Sequence, residues 1–113
     1  MSTITTHVLD TARGRPASGV RVTLETRAGD GTWAVVGSGA TDRDGRLRDL
    51  LDAGALASPG VYRLRFDTGA YFASLGTESF YPEVTVEFQV RDTRHHHIPL
   101  LLSPYGYSTY RGS

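Results

Sequence analysis

Hydrophobic and polar residues alternate along much of this sequence. The clearest example is the stretch 84–90, where four apolar residues are separated by Thr85, Glu87 and Gln89. A period of two is typical of a β-strand that buries one face and exposes the other. Applied to residues 19–26, the same alternation predicts that Val20, Val22 and Leu24 are buried and that Arg21, Thr23 and Glu25 are exposed. Strands are predicted over residues 5–10, 19–26, 32–41, 46–48, 61–66, 84–90, 94–103 and 105–110.

Short runs of turn-forming residues separate these segments. Asp30-Gly31 and Asp44-Gly45 tolerate positive φ and connect hairpins, and Ser58-Pro59-Gly60 precedes the strand at 61–66. Only residues 68–75 predict a helix, of one or two turns. Its core-facing side chains are expected to be Tyr71, Phe72 and Leu75. The sequence therefore predicts an all-β fold of about eight strands in two sheets of about four, in one domain over residues 1–113.

The composition excludes several classes of function. The sequence has 12 acidic and 12 basic residues and a pI near 6.9, so no strong field favours nucleic acid or an anionic membrane as a partner. It has no Cys, which excludes thiolate chemistry, and all of its basic residues are Arg, which excludes a Schiff-base lysine. Since no stretch approaches about 20 consecutive apolar residues, no membrane span is predicted, and we expect a cytoplasmic protein.

Two motifs are similar to ligand-binding loops but depart from them. Gly37-Ser38-Gly39 begins like a phosphate-binding loop, yet Asp42 stands where a third glycine is needed. Asp42 and Asp44 before Gly45 are similar to part of a calcium loop, but the first and last ligand positions of such a loop are apolar here. We therefore expect a hairpin turn at 42–45 and no ion site.

Three consecutive histidines lie on the predicted strand 94–103. Because side chains alternate along a strand, His95 and His97 share one face and His96 takes the other. Two imidazoles on one face could bind a metal ion, but the three residues could also be a solvated polar stretch or a remnant of cloning. The same parity assigns Ile98, Leu100 and Leu102 to the core and His97, Pro99 and Leu101 to an accessible face.

Two further groups are candidates for chemistry. His7 is in the middle of the first predicted strand, where a lone histidine is more often a hydrogen-bonded structural residue than a catalyst. Tyr110-Arg111-Gly112-Ser113 brings a phenol and a guanidinium together at the end of the last predicted strand. Such a segment is commonly a frayed tail, although this one is unusually polar for a disposable end.

Three segments carry a family signature. They are TTHVLDTARGRPA at 5–17, HIPLLLSPY at 97–105 and YRGS at 110–113. Together they resemble the 5-hydroxyisourate hydrolases, the enzymatic branch of the transthyretin family, and the similarity extends from about residue 4 to residue 113. The terminal tetrapeptide is specific, because hormone-binding transthyretins lack it. His96 stands where the family often has Tyr, and Ile4 where Leu is common.

The resemblance implies a fold, an assembly and an activity. The fold is an eight-stranded transthyretin-like sandwich with one short helix, assembled as a homotetramer with sites between subunits. The activity is the hydrolysis of 5-hydroxyisourate to 2-oxo-4-hydroxy-4-carboxy-5-ureidoimidazoline in the degradation of urate to allantoin, without a metal or organic cofactor. Carried over residue by residue, the catalytic set is His7, Arg46, His97 and Ser113, and the substrate-binding set is His7, Arg46, Tyr110 and Arg111.

These residue types suit that chemistry. Imidazole has an ordinary pKa of about 6.5 and can take a proton from water near neutral pH. Arginine offers a flat fork of donors to the carbonyl oxygens of a planar substrate. Which histidine is the base stays open at this point. The alternatives are a transthyretin-like carrier without catalysis, a metal-binding module built on His7, His95 and His97, and a sandwich domain that only mediates interactions.

Overall fold

A computed structural model of the protein describes residues 3–51 and 56–113. The predicted domain also includes residues 1, 2 and 52–55, which lie outside the described residues. The elements in chain order are β1 (Ile4–Asp10), β2 (Arg15–Pro16), β3 (Arg21–Arg27), β4 (Trp33–Ala40), β5 (Arg46–Leu47), β6 (Gly60–Phe66), α1 (Thr68–Ser74), β7 (Val84–Val90), β8 (His96–Ser103) and β9 (Gly106–Thr109).

The strands form two sheets. The first sheet has five strands in the order β2-β1-β8-β9, with the short β5 also paired to β1. In this sheet β1 and β8 run parallel, whereas the pairs β1–β2, β1–β5 and β8–β9 are antiparallel. The second sheet has four strands in the order β4-β3-β6-β7, and all of its pairs are antiparallel. The expected two-sheet β fold with one short helix is confirmed.

Apolar side chains from both sheets form a common core. The residues that the alternation assigned to the core of β3 and β8 are buried, as predicted. The most completely buried large side chains are Ile4, Val8, Val20, Val22, Leu24, Leu50, Leu64, Phe66, Val84, Val90, Leu100 and Leu102. Burial of this apolar surface supplies the main driving force for joining the sheets.

Three details differ from the sequence-based expectation. The two-residue strand β2 was not predicted, because two residues carry no readable period. Glu25 is buried although its position on β3 predicted exposure; Arg63 and Arg65 of β6 cover its carboxylate, at 2.6 Å and 3.6 Å. Leu75 is 38% exposed because α1 ends at Ser74 and Leu75 lies beyond its last turn.

The helix α1 is tied to the first sheet through a buried polar contact. The Asp67 side chain accepts a hydrogen bond from Ala70 N and caps the first turn. On the core-facing side, the Tyr71 hydroxyl donates to Asp10 Oδ2 at 2.8 Å, and burial raises the pKa of Tyr71. Asp10 is fully buried at the end of β1, so this bond satisfies a carboxylate in the core. No helix among the described residues is both long and apolar enough to cross a bilayer.

Candidate active site

The candidate site lies on the face of the five-stranded sheet that points away from the core. In the parallel pair β1–β8, Thr5 is opposite His97, and in the antiparallel pair β1–β5, His7 is opposite Arg46. Residues that are directly opposite each other on neighbouring strands project from the same face of a sheet. The register therefore brings Thr5, His7, Arg46 and His97 together on one surface, although Arg46 and His97 are far from β1 in sequence.

A tight turn before β5 determines the position of Arg46. The Asp42 side chain accepts hydrogen bonds from Asp44 N at 2.9 Å and from Arg46 N at 3.0 Å. Gly45 has a φ of 77°, and a Cβ at this position would lie 2.3 Å from the carbonyl oxygen of Val8. Only glycine lets the turn approach β1 this closely. The hairpin turn predicted at 42–45 is confirmed, and it sets Arg46 beside His7.

The same turn orients the His7 ring. His7 Nε2 lies 2.8 Å from the backbone carbonyl oxygen of Asp44. A carbonyl oxygen can only accept a hydrogen bond, so Nε2 carries the proton and the lone pair of neutral His7 is on Nδ1. The turn thus contributes one backbone acceptor to the site in addition to Arg46.

The hydroxyl group of Thr5 lies between two histidine rings. Thr5 Oγ1 is 2.7 Å from His97 Nδ1 and 2.8 Å from His95 Nε2, and Thr5 is only 3% exposed. The centroids of the two rings are 6.1 Å apart. β8 begins at His96 rather than at the predicted residue 94, so His95 directly precedes the strand. Its ring still lies on the same side as the His97 ring, and Thr5 connects the two.

A small cavity opens beside these rings. Its volume is about 90 Å³, which suits a water molecule or one edge of a small planar ligand. Two guanidinium groups and two imidazoles contribute to its wall, so the cavity favours electron-rich atoms such as carbonyl oxygens. The lining residues are Thr5, Thr6, Arg46, Arg48, His95, His97 and Ser113. His7 lies next to the cavity as the cross-strand neighbour of Arg46.

Residues 111–113 are held against the site. Gly112 N donates to the carbonyl oxygen of His97 at 2.8 Å, which forms an isolated bridge to β8. A Cβ at Gly112 would lie 2.6 Å from His97 Cδ2 and 3.2 Å from Pro99 Cγ. The segment therefore lies flat on the His97 ring and covers Pro99, which is buried although its parity predicted an accessible face. Ser113 consequently reaches the cavity, and Arg111 Nη2 donates to the His95 carbonyl at 3.4 Å.

Tyr110 is not brought to this cavity. It is 56% exposed and lines a different cavity of about 240 Å³, where β7 faces β8 and the end of β9. Arg111 also lines that second cavity. Within one chain, the structure therefore brings together Arg46, His97 and Ser113, with His7 adjacent and Arg111 attached through His95, but it leaves Tyr110 apart.

The surroundings of both site histidines favour the neutral ring. Burial lowers the pKa of His97 below its ordinary value, and the nearby charges of His95, Arg46 and His7 lower it further. Burial also lowers the pKa of His7, followed by the charge of Arg46, although the bond to the Asp44 carbonyl acts in the opposite direction. A neutral imidazole near pH 7 is able to accept a proton from water.

The described residues include no group of three or more His, Asp and Glu side chains arranged to hold a metal ion. One ring nitrogen of each of the three histidines proposed for a metal module is hydrogen-bonded within the chain. His7 Nε2 is bonded to the Asp44 carbonyl, and His95 Nε2 and His97 Nδ1 both contact Thr5. The geometry gives this alternative no support.

A larger open groove of about 590 Å³ lies on the second sheet. It is lined by Trp33, Val61, Glu87 and the turn at 27–31. Arg63 stacks over the Trp33 ring at 4.1 Å from its centroid and also binds Glu25, so this surface has a structural role in covering a buried carboxylate. It has none of the imidazole groups that mark the smaller cavity.

The sequence did not predict Thr5 and Arg48 as site residues, and it treated His95 as a candidate metal ligand or as part of a solvated stretch or cloning remnant. The parity of the strands carried a usable signal for two of them, because Thr5 is two residues from His7 and Arg48 is two residues from Arg46. The contribution of the Asp44 carbonyl had no such signal, because every residue has a backbone carbonyl and only the folded turn selects this one.

Comparison with known proteins shows the family to which this chain belongs. Residues 4–112 match the model of the HIUase/Transthyretin family. The chain belongs to this family. A 5-hydroxyisourate hydrolase of Salmonella typhimurium is 50% identical over 111 residues, which cover 97% of this chain and 80% of that protein.

Two solved structures of the HIUase/Transthyretin family are similar to this fold. The 5-hydroxyisourate hydrolase of Klebsiella pneumoniae has a TM-score of 0.85 at 39% identity and covers 100% of this chain and 94% of its own. Sea bream transthyretin in complex with thyroxine has a TM-score of 0.91 at 32% identity, over 97% of this chain and 94% of its own. The transthyretin-like sandwich expected from the sequence is confirmed.

Proposed function

We propose that this protein is a 5-hydroxyisourate hydrolase, which opens the ring of 5-hydroxyisourate with water to give 2-oxo-4-hydroxy-4-carboxy-5-ureidoimidazoline in the degradation of urate to allantoin. The observation that carries the proposal is the cavity at which Arg46, His97 and Ser113 meet beside His7. These are the positions to which the resemblance assigns catalysis. Relatives such as the Salmonella typhimurium 5-hydroxyisourate hydrolase support the same activity.

His97 is the general base in this proposal. Its ring lines the cavity, its pKa is lowered, and its Nδ1 atom is occupied by Thr5, which leaves Nε2 to act on a water molecule. The reaction adds that water to a ring carbonyl carbon of the substrate, and His97 takes the proton that the water loses. The ring C–N bond then breaks, and the departing nitrogen receives a proton from the imidazolium, so that the products contain all the atoms of substrate and water.

Arg46 and His7 act on the charge that develops during this addition. The carbonyl oxygen becomes an oxyanion as water adds, and the guanidinium of Arg46 offers planar donors to it. His7 presents its Nδ1 lone pair, because Nε2 is bound to the Asp44 carbonyl, and so it accepts a hydrogen bond from an N–H or O–H of the substrate. Ser113 completes the wall of the cavity, and the bonds from Gly112 to His97 and from Arg111 to His95 hold the tail in place.

The proposal includes an assembly. The site face of the five-stranded sheet is open in a single chain, and Tyr110 lies outside the cavity. In a homotetramer with sites between subunits, as the resemblance implies, a second chain closes the cavity and supplies polar groups such as Tyr110 to the substrate. We place this tetramer, one hydrolase domain per chain, in the cytoplasm, without a metal or organic cofactor and with no nucleic acid or membrane partner.

The alternative is a small-ligand carrier without catalysis. The observation that favours it is the similarity to sea bream transthyretin, whose structure is a complex with thyroxine. The cavity described here is lined by His and Arg side chains, whereas a carrier of a hydrophobic hormone needs an apolar lining. A direct thyroxine-binding titration separates the two functions, and we expect no saturable binding of thyroxine.

The test of the proposed function is a direct assay. 5-Hydroxyisourate is generated freshly by urate oxidation, and its spontaneous decay is followed by ultraviolet absorbance with and without the protein. We expect a decay rate that rises in proportion to protein concentration and is unchanged by a chelator. A rate that equals the spontaneous rate at all protein concentrations would refute the proposal, and loss of activity with chelator would refute the metal-independent mechanism.

A further inference from the structure

The proposed reaction makes no direct use of Thr5, yet its hydroxyl is the most constrained polar group at the site. It is nearly fully buried, and among the described residues its hydrogen-bond partners are the His95 and His97 rings, at 2.8 Å and 2.7 Å. A hydroxyl has one proton to donate. It therefore donates to one ring, and the nitrogen of the other ring donates to it.

Two arrangements satisfy this constraint. In the first, Thr5 donates to His95 Nε2, and His97 donates from Nδ1 to Thr5, so that the lone pair of His97 is on Nε2. In the second, Thr5 donates to His97 Nδ1, and His97 then carries its proton on Nε2 and has no lone pair free for a water molecule. The tautomer of His97 therefore depends on which of the two rings accepts the hydrogen bond from the Thr5 hydroxyl.

Only the first arrangement persists through a catalytic cycle. When His97 takes a proton from water it becomes an imidazolium, and both of its nitrogens must donate. Thr5 accepts from Nδ1 both before and after that step if its own proton stays on the His95 side. In the second arrangement, protonation of His97 would place two donors against each other and break the bond to Thr5.

We infer that Thr5 and His95 are positioning residues that hold His97 in the tautomer with its proton on Nδ1 and its lone pair on Nε2. The inference rests on the proposed function for the identity of the base. Thr5 is well suited to this task, because it lies opposite His97 in the parallel β1–β8 register and its β-branched side chain has few rotamers.

The first experiment compares Thr5→Val with Thr5→Ser. Valine has the shape of threonine without the hydroxyl, whereas serine keeps it. We expect Thr5→Val to lower kcat by about 10–100-fold, the range typical of groups that orient a functional imidazole, with KM changed far less. Thr5→Ser recovers most of that loss. The matched control is Thr26→Val in the second sheet, where the lost hydroxyl donates to the Val61 carbonyl, and thermal unfolding reports whether each variant is folded.

The second experiment uses His95. In His95→Gln, the side-chain amide oxygen reaches the region of Nε2 and can accept from Thr5, whereas His95→Leu offers no acceptor. We expect the leucine variant to resemble Thr5→Val in kcat and the glutamine variant to retain most of the turnover. Equal turnover of wild type, Thr5→Val and His95→Leu would overturn the inference while leaving the proposed function in place.

The third measurement does not depend on activity. Nitrogen-15 NMR of the imidazole rings distinguishes a protonated Nδ1 from a protonated Nε2 in neutral histidine. We expect the His97 ring of the wild type to be protonated on Nδ1, and the signal to shift toward a mixture of tautomers in Thr5→Val. A wild-type ring protonated on Nε2 would overturn the inference, whatever the outcome of the hydrolase assay.

Discussion

At the scale of single residues, the decisive property of the site is a neutral imidazole in a cationic setting. His97 lies beside the guanidinium of Arg46, whose positive charge lowers the pKa of His97 in the same direction as burial, as would protonation of the His7 or His95 ring. A base of this kind is present in its active form at neutral pH, and the Arg46 guanidinium also stabilises an oxyanion near it. One guanidinium thereby serves both halves of the proposed water addition.

This electrostatic arrangement predicts a pH profile. The His97 pKa lies below its ordinary value, so the ring stays neutral, and active as a base, until the pH falls below about 6.5. We expect the acid limb of the kcat/KM profile to have its midpoint below about 6.5. A midpoint above the ordinary value of histidine would contradict the assignment.

Arg46→Gln provides the matched variant for that profile. Removing the guanidinium removes a positive charge that lowers the His97 pKa, so the acid limb moves to higher pH. It also removes a donor to the oxyanion, which typically costs about 10²–10³-fold in kcat. Loss of activity without any movement of the limb would show that Arg46 is not electrostatically coupled to the base.

The sequence predicted the titratable members of the site better than the groups that orient them. His7, Arg46 and His97 came from the resemblance to the family, and strand parity placed His95 with His97. The orienting groups are the Thr5 hydroxyl and the Asp44 carbonyl, which are common chemical groups whose role depends on the β1–β8 register and on the turn before β5. Their contribution appears only when the strands are paired.

At the scale of elements, the segment after β9, residues 110–113, contributes to the candidate site and little to the core of the fold. It is held by the bridge from Gly112 to the His97 backbone on β8 and by the bond from Arg111 to the His95 carbonyl just before β8. Deletion of residues 111–113 is therefore expected to abolish hydrolase activity and to leave the far-ultraviolet circular dichroism spectrum and cooperative unfolding largely unchanged. Unfolding of the truncated chain would contradict this division.

The helix α1 illustrates the opposite case, an element whose polar contact supports stability. Tyr71→Phe removes the hydroxyl that donates to buried Asp10, so it leaves an unsatisfied acceptor in the core. We expect a loss of about 1–3 kcal/mol in the free energy of unfolding. Tyr105→Phe is the control, because the Tyr105 hydroxyl bonds to exposed Glu78, and its loss should change stability little. Denaturant unfolding of both variants measures the difference.

The elements themselves were largely predictable, and the exceptions have physical causes. Long alternating segments such as β3 and β7 give a clear period of two, whereas β2 has two residues and no period. Glu25 alternates as a solvent-facing residue, but ion pairs with Arg63 and Arg65 cover it. Arg63 lies on another strand, 38 residues from Glu25 in the sequence. The local pattern of polar and apolar residues therefore cannot predict that Glu25 is buried.

At the scale of the whole molecule, the open site face points to an assembly. The cavity lies on the surface of a sheet, and large aromatic side chains are exposed beyond the far end of β8, including Phe80 at 68% and Tyr105 at 63%. Exposed apolar surface of this kind is typical of protein interfaces. We expect light scattering after gel filtration to give a mass about four times that of the 12.3 kDa chain. Full activity in a species shown to be monomeric would contradict sites formed between subunits.

The most direct test of the account measures the decay of freshly generated 5-hydroxyisourate with wild-type protein and with His97→Ala at equal concentration, after unfolding curves have shown that both are folded. The account predicts that the wild type accelerates the decay and that the variant lowers kcat by about 10²–10⁴-fold, because the base that takes the proton from water is lost. Equal rates for the two proteins would contradict the role of His97, and a wild-type rate equal to spontaneous decay would contradict the function itself.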